Sequence, residues 1–293
     1  MIICAAAVLT VFARLCGTSA IWKNIWKKEP DVRLSAVRRT ALASSVAALA
    51  LLVTACGSSQ DDGDKAAGDG KGEGGPTAST APAAKALTAA ELEKAVLAQA
   101  DVKSGKVTKV SAADDVAKDK VKGEKAACEP LALAETGVPL GEPAATVKRS
   151  WTEGPKKPSG DASTEEEIGA AFDLDKALVT LASYEDGGAE AVLKDVKEAA
   201  GACAGGFTFT AMGEKARIAK VAEDPAPGGA DEAVAMTMTM TGDDGDAFPV
   251  KVYVTRKGST VASFTVLNLA SAGTGKDFPF PTEISDAQLA KLG

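Results

Sequence analysis

Ala233-Val234-Ala235-Met236-Thr237-Met238-Thr239-Met240-Thr241 decides the fold, because from Met236 onward it alternates thioether and hydroxyl side chains without a break. Successive residues of a strand point to opposite faces, so the methionines share one side and the threonines the other. The pattern reads as a half-buried strand with its methionines inward. Asp224-Pro225-Ala226-Pro227-Gly228-Gly229 punctuates it on one side and Gly242 to Asp246 on the other. Working outward, Phe207 to Met212, Ala216 to Val221, Val250 to Arg256 and Thr260 to Leu269 alternate in the same way, with Gly213-Glu214 and Lys257-Gly258 as further turns. Connections this short make neighbouring strands antiparallel.

Upstream the signals are mixed. Val147, Arg149 and Trp151 alternate within Thr146 to Thr152, and Val107 to Asp115 reads as a strand with its exit. Ala170 to Tyr184 suits a strand interrupted around Asp173–Asp175, but its periodicity does not separate strand from helix. Glu165-Glu166-Glu167 before Ile168 begins a short helix, and Lys118 to Lys125 is a charged, exposed run leading to Cys128. Gly187 to Ala202 is the clearest helix, with Ala191, Val192, Val196 and Ala199 at helical spacing and glycines after Cys203 to end it. Thr88 and Glu91 form a capping-box pattern ahead of Leu92, Val96 and Leu97, and Ser285 to Leu292 is a short capped helix. The expectation is an α+β domain over residues 87–293. It has an antiparallel sheet of about five to six strands and helices on one face.

The N-terminal third has a different character. Arg33, Arg38 and Arg39 precede Ala41 to Ala55, an apolar run too short to span a bilayer comfortably. Leu51-Leu52-Val53-Thr54-Ala55-Cys56-Gly57 closes it, and this motif resembles the lipobox of bacterial lipoprotein precursors. The resemblance implies a signal peptide over 32–55, cleavage between Ala55 and Cys56, and a diacylglycerol on the Cys56 thiol. Each buried methylene adds about 0.8 kcal/mol, so two or three acyl chains hold a protein durably on a membrane. Residues 1–31, with Trp22-Lys23-Asn24-Ile25-Trp26-Lys27-Lys28, are not needed by such a signal and read as a start codon placed too far upstream. Residues 56–86 hold no aliphatic side chain larger than alanine. They read as a disordered tether spanning on the order of 30 Å.

The net charge is −7, and residues 1–56 hold seven basic and two acidic side chains, which leaves −12 for the rest. That balance argues against nucleic-acid binding and favours basic partners. With Cys4 and Cys16 in the leader and Cys56 claimed by lipid, Cys128 and Cys203 remain. In an exported domain they are expected to form a disulfide, stabilising by roughly 4 kcal/mol on the chain-entropy view. The sequence contains no histidine, so Ser-His and Cys-His nucleophiles are excluded.

Four patterns carry residues suited to chemistry. Met236, Met238 and Met240 have the soft thioethers that Cu(I) prefers, but core packing accounts for them better. Gly242-Asp243-Asp244-Gly245-Asp246 gathers oxygen ligands of the kind calcium takes, yet Asp and Gly are the ordinary residues of a hairpin turn. Gly273-Thr274-Gly275-Lys276 lacks the upstream glycine of a phosphate loop. Carboxylate pairs such as Glu165/Glu167 or Asp173/Asp175 could serve hydrolysis, but charge runs are usually solvated faces, and no motif supports a Ser-Lys nucleophile. No catalytic residue, metal site or cofactor is expected.

Leu178-Val179-Thr180-Leu181-Ala182-Ser183-Tyr184-Glu185-Asp186, followed by a helix and by Ala202-Cys203-Ala204-Gly205-Gly206-Phe207, resembles sensor-domain lipoproteins of high-GC Gram-positive bacteria. These are similar to the extracellular sensor domains of certain membrane serine/threonine kinases. The resemblance implies a sheet packed with helices and stapled by disulfide. One cysteine pair stands here where the kinase domains usually carry two. The functional expectation is a non-enzymatic, lipid-anchored protein on the extracytoplasmic face of the cell membrane. Its domain would bind an unknown small ligand or an envelope protein, and any signal would pass through a separate partner. The alternatives are an envelope scaffold without a small ligand and, less favoured, a carboxylate-based hydrolase.

Overall fold

A computed structural model describes residues 85–154, 156, 163–242 and 245–293. The leader, the signal peptide with Ala55 and Cys56, and almost all of the tether lie outside these residues. Six α-helices and nine strands are described. The helices are α1 (Ala89–Ala95), α2 (Glu129–Glu135), α3 (Thr164–Phe172), α4 (Gly188–Ala202), α5 (Leu269–Thr274) and α6 (Thr282–Ala290). The strands are β1 (Lys106–Lys109), β2 (Val121–Gly123), β3 (Ala145–Thr152), β4 (Asp175–Ser183), β5 (Phe207–Ala211), β6 (Glu214–Asp224), β7 (Glu232–Thr241), β8 (Ala247–Lys257) and β9 (Thr260–Asn268).

All nine strands form one sheet in the order β1-β3-β4-β9-β8-β7-β6-β5-β2, and every pairing is antiparallel. The α+β class stands, but the expected five to six strands become nine. Two of the additional strands are short edges: β1 keeps only Lys106–Lys109 from around the stretch read as a strand with its exit over Val107 to Asp115, and β2, with three residues, is too short to show an alternation. A third, β4, is buried along most of its length, so its apolar run from Ala177 to Ala182, broken only by Thr180, has no polar side to mark it. The ambiguous stretch resolves at Asp173–Leu174, where α3 ends and β4 begins.

Helices cover both faces, not one. On the first face Val192, Leu193 and Val196 of α4 and Leu131 to Ala134 of α2 pack over Phe207, Phe209, Ile218, Met236 and Met238. On the second, Leu92, Val96 and Leu97 at α1 and Ile284 of α6 pack over Trp151, Val179, Tyr253 and Phe264. The centre of the sheet presents large apolar side chains in both directions, and each set needs its own cover.

Local chemistry fixes the ends of these elements. The Thr88 amide donates to Glu91 Oε2 (2.8 Å) and the Glu91 amide returns the bond to Thr88 Oγ1 (3.3 Å), a complete capping box at α1. Gly206, after α4, has φ +93, and a Cβ there would collide with the carbonyl oxygen of Ile218. Only glycine brings the chain that close to β6. Cys128 and Cys203 are bonded as expected, both buried, with Cα atoms 5.9 Å apart, which ties the start of α2 to the end of α4.

Candidate functional site

The sheet face carrying Tyr253 and Phe264 holds a cleft. β6 ends at Asp224, and Pro225 and Pro227 prevent continuation of the ladder while forming a stiff wall. Opposite this wall runs Asp277-Phe278-Pro279-Phe280, the extended segment between α5 and α6. Between them opens a cavity of about 320 Å³ lined by Pro225, Pro227, Ala235, Lys251, Phe280 and Thr282 among others. A contiguous hollow of about 480 Å³ shares Asp224, Pro225, Lys251 and Phe280 and extends over Asp277 and Phe278.

Both walls are anchored. The Tyr253 hydroxyl donates to the Pro227 carbonyl (3.1 Å). Phe280 meets Tyr253 and Phe264 edge-on, with ring centroids 5.5 and 6.1 Å apart. Aromatic contacts of this geometry add about 1 kcal/mol each beyond the area they bury. Segments that lack regular structure are thereby held at a fixed separation.

The floor is polar. Lys251 lies on β8 with only 9% of its side chain exposed. Its ammonium donates to Thr237 Oγ1 (2.6 Å), which in turn donates to Asp224 Oδ2 (2.5 Å). The same ammonium pairs with Asp277 Oδ1 at 2.9 Å and stands 3.6 Å from Asp224 Oδ2 and 5.9 Å from the centre of the Phe278 ring. A buried cation is tolerated when carboxylates and hydrogen bonds replace its water. The bond from Lys251 holds the Asp277 carboxyl below its ordinary range. The result is an open cleft with apolar walls and four convergent polar groups, those of Lys251, Thr237, Asp224 and Asp277.

No family model matches the chain, and no curated protein does. Among solved structures the chain is similar to the extracellular domain of PknH from Mycobacterium tuberculosis. The TM-score is 0.42 and the identity 12%, with 71% of this chain and 95% of that chain covered.

The residues singled out in the sequence fall mostly elsewhere. Ala55, Cys56, Asp243 and Asp244 lie outside the described residues, as does the side chain of Glu165. Met236 and Met238 are fully buried in the core of the first face. Thr274 and Gly275 close α5: the Thr274 hydroxyl donates to the Ala270 carbonyl, and Gly275 takes φ +69 as the C-cap. The Asp173/Asp175 pair does come together, because Asn268 Nδ2 donates to both (2.9 and 2.8 Å). Burial raises the Asp175 carboxyl, while bonds from Asn268 and Lys156 lower that of Asp173. Asn268 Oδ1 also caps α5 through the Ser271 amide (2.9 Å), so the pair secures a corner of the fold and lines neither hollow. Among the described residues no His/Cys/Asp/Glu cluster is placed to hold a metal, and no helix is long and apolar enough to cross a membrane.

Lys251, Thr237 and Asp277 escaped the sequence reading. One signal was present: a lysine between Val250 and Val252 in the middle of a strand.

Proposed function

We propose that this chain is a lipid-anchored, extracytoplasmic binding protein without catalytic activity, and that its ligand occupies the cleft over Lys251. The cleft itself carries the reading. Its walls are pinned by Tyr253 and Phe280, and its floor gathers an ammonium, a hydroxyl and two carboxylates. A site held open in advance loses little ordering entropy on binding. The Cys128–Cys203 disulfide supports an oxidising compartment, where such bonds persist. The lipobox at Leu51 to Cys56 supports attachment through the Cys56 thiol.

Two experiments test the halves separately. Mass spectrometry of species co-purified with the full chain, followed by thermal-shift titration of those species, tests the cleft. The Phe280→Ala variant is expected to lose about tenfold in affinity. Finding no co-purified species and no shift would overturn ligand binding. For the anchor, Cys56→Ser is expected to move the protein from the membrane fraction to the soluble one; unchanged fractionation would refute lipidation.

A further inference from the structure

Next to the cleft, the same sheet face is left open where α1 and α6 do not reach, over β7, β6, β5 and β2. Register places its side chains. Thr239 and Thr241 share a face with Thr237, since strand residues two apart point the same way. Lys220 lies opposite Thr239 and Arg217 opposite Thr241, with a bulge between Ile218 and Lys220 keeping both cations on this side. Lys215 lies opposite Thr210, and so does Lys122 from β2. Four cations therefore stand on one face, all exposed; of the described carboxylates on it, Glu124 pairs with Lys215 at 2.9 Å, and Asp224, at the cleft end of β6, is already engaged by Thr237 and Lys251. Among the described residues Lys122, Arg217 and Lys220 make no ion pair, and the hydroxyls of Thr239 and Thr241 make no hydrogen bond. Asp246, exposed at the β7–β8 turn, ends the basic stretch.

This reverses the sign of the chain as a whole, which carries a net charge of −7. Solubility does not call for cations there, because carboxylates already provide it elsewhere. We propose that this open face binds an acidic, polyhydroxylated chain, an anionic polysaccharide. Lys215 and Arg217 are about 7 Å apart along β6, and Lys122 and Lys215 about 10 Å apart across two strand spacings. Threonine hydroxyls fill the intervals. Anionic groups at that separation with hydroxyls between them match both features. An acidic polypeptide would use the cations and leave the hydroxyls unmet. A bilayer surface would need several apolar side chains to enter it. Among the described residues the strands of this face present none larger than alanine and the threonine methyls, and Met212 at the β5–β6 turn is the one large exposed apolar side chain beside them. The proposal does not depend on the cleft being occupied.

Equilibrium binding of the full chain to polygalacturonate tests it, with neutral dextran and poly-glutamate as comparisons. Polygalacturonate is expected to bind most tightly and to weaken as salt rises. Arg217→Glu combined with Lys220→Glu is expected to lose about tenfold in affinity, and Lys122→Glu, on a different strand, about threefold. Thr239→Val with Thr241→Val is expected to weaken polygalacturonate while leaving poly-glutamate unchanged. The proposal is overturned if polygalacturonate binds no better than dextran, or if both charge reversals bind like the parent. Poly-glutamate binding as tightly as polygalacturonate would also overturn it and make the face a dock for an acidic protein.

Discussion

The side-chain amide of Gln288 closes a two-way bond with the end of α1: Oε1 accepts from the Leu97 amide (2.8 Å) and Nε2 donates to the Ala95 carbonyl (2.8 Å). Gln288 is fully buried and sits on α6, so one side chain joins the first and last described helices. It also satisfies backbone groups left over where α1 stops.

Gln288→Leu keeps the volume and removes both bonds. A buried donor and a buried acceptor are then left unpaired, which costs about 2–3 kcal/mol. Urea unfolding should show that loss with an unchanged slope. A loss below about 0.5 kcal/mol would mean that water replaces the amide.

Lys251→Met removes the cation that joins Thr237 and Asp277. Asp277 is 72% exposed and rehydrates, so the expected cost is about 1–2 kcal/mol, less than for a fully buried pair. Because Lys251 lowers the Asp277 carboxyl, that contribution to stability is present above the unfolded value of 3.8 and is lost as pH falls through the folded one. Acid titrations of parent and variant should converge at low pH.

Glu135 behaves in the opposite sense. Burial at the end of α2 pushes its carboxyl from 4.5 up to about 7, so the folded state holds a proton that the unfolded state has released. Its contribution is full below 4.5 and declines as pH rises toward 7. Glu135→Gln should flatten that decline, by roughly 1–2 kcal/mol at neutral pH after allowing for solvent screening. Identical pH profiles for the two proteins would refute it.

Cys128→Ser with Cys203→Ser frees a loop of sequence separation 75. The expected destabilisation is about 3–4 kcal/mol, measured by thermal or urea unfolding against the oxidised parent.

The five strands from Phe207 to Asn268 were legible because each alternates and each is bounded by glycine, proline or aspartate. β4 was not, since it is covered on both sides and loses its period. Both helices of the second face were legible, but not that they cover a second face: Tyr253, between Val252 and Val254, sits at a position that alternation would assign to solvent. Alternation also assigned Lys251 to that exposed side. What buries it is the Asp277–Phe280 segment, which returns from beyond β9, and contacts so distant in sequence leave no local trace. The cleft was therefore invisible, whereas the disulfide followed from counting cysteines.

The Cys128–Cys203 link has one more effect, which concerns damage. A protease that cuts the main chain anywhere between the two sulfurs leaves the pieces covalently joined. Nicked molecules would run as two bands only after reduction, and a lipid on the N-terminal piece would still retain the C-terminal strands at the cell surface.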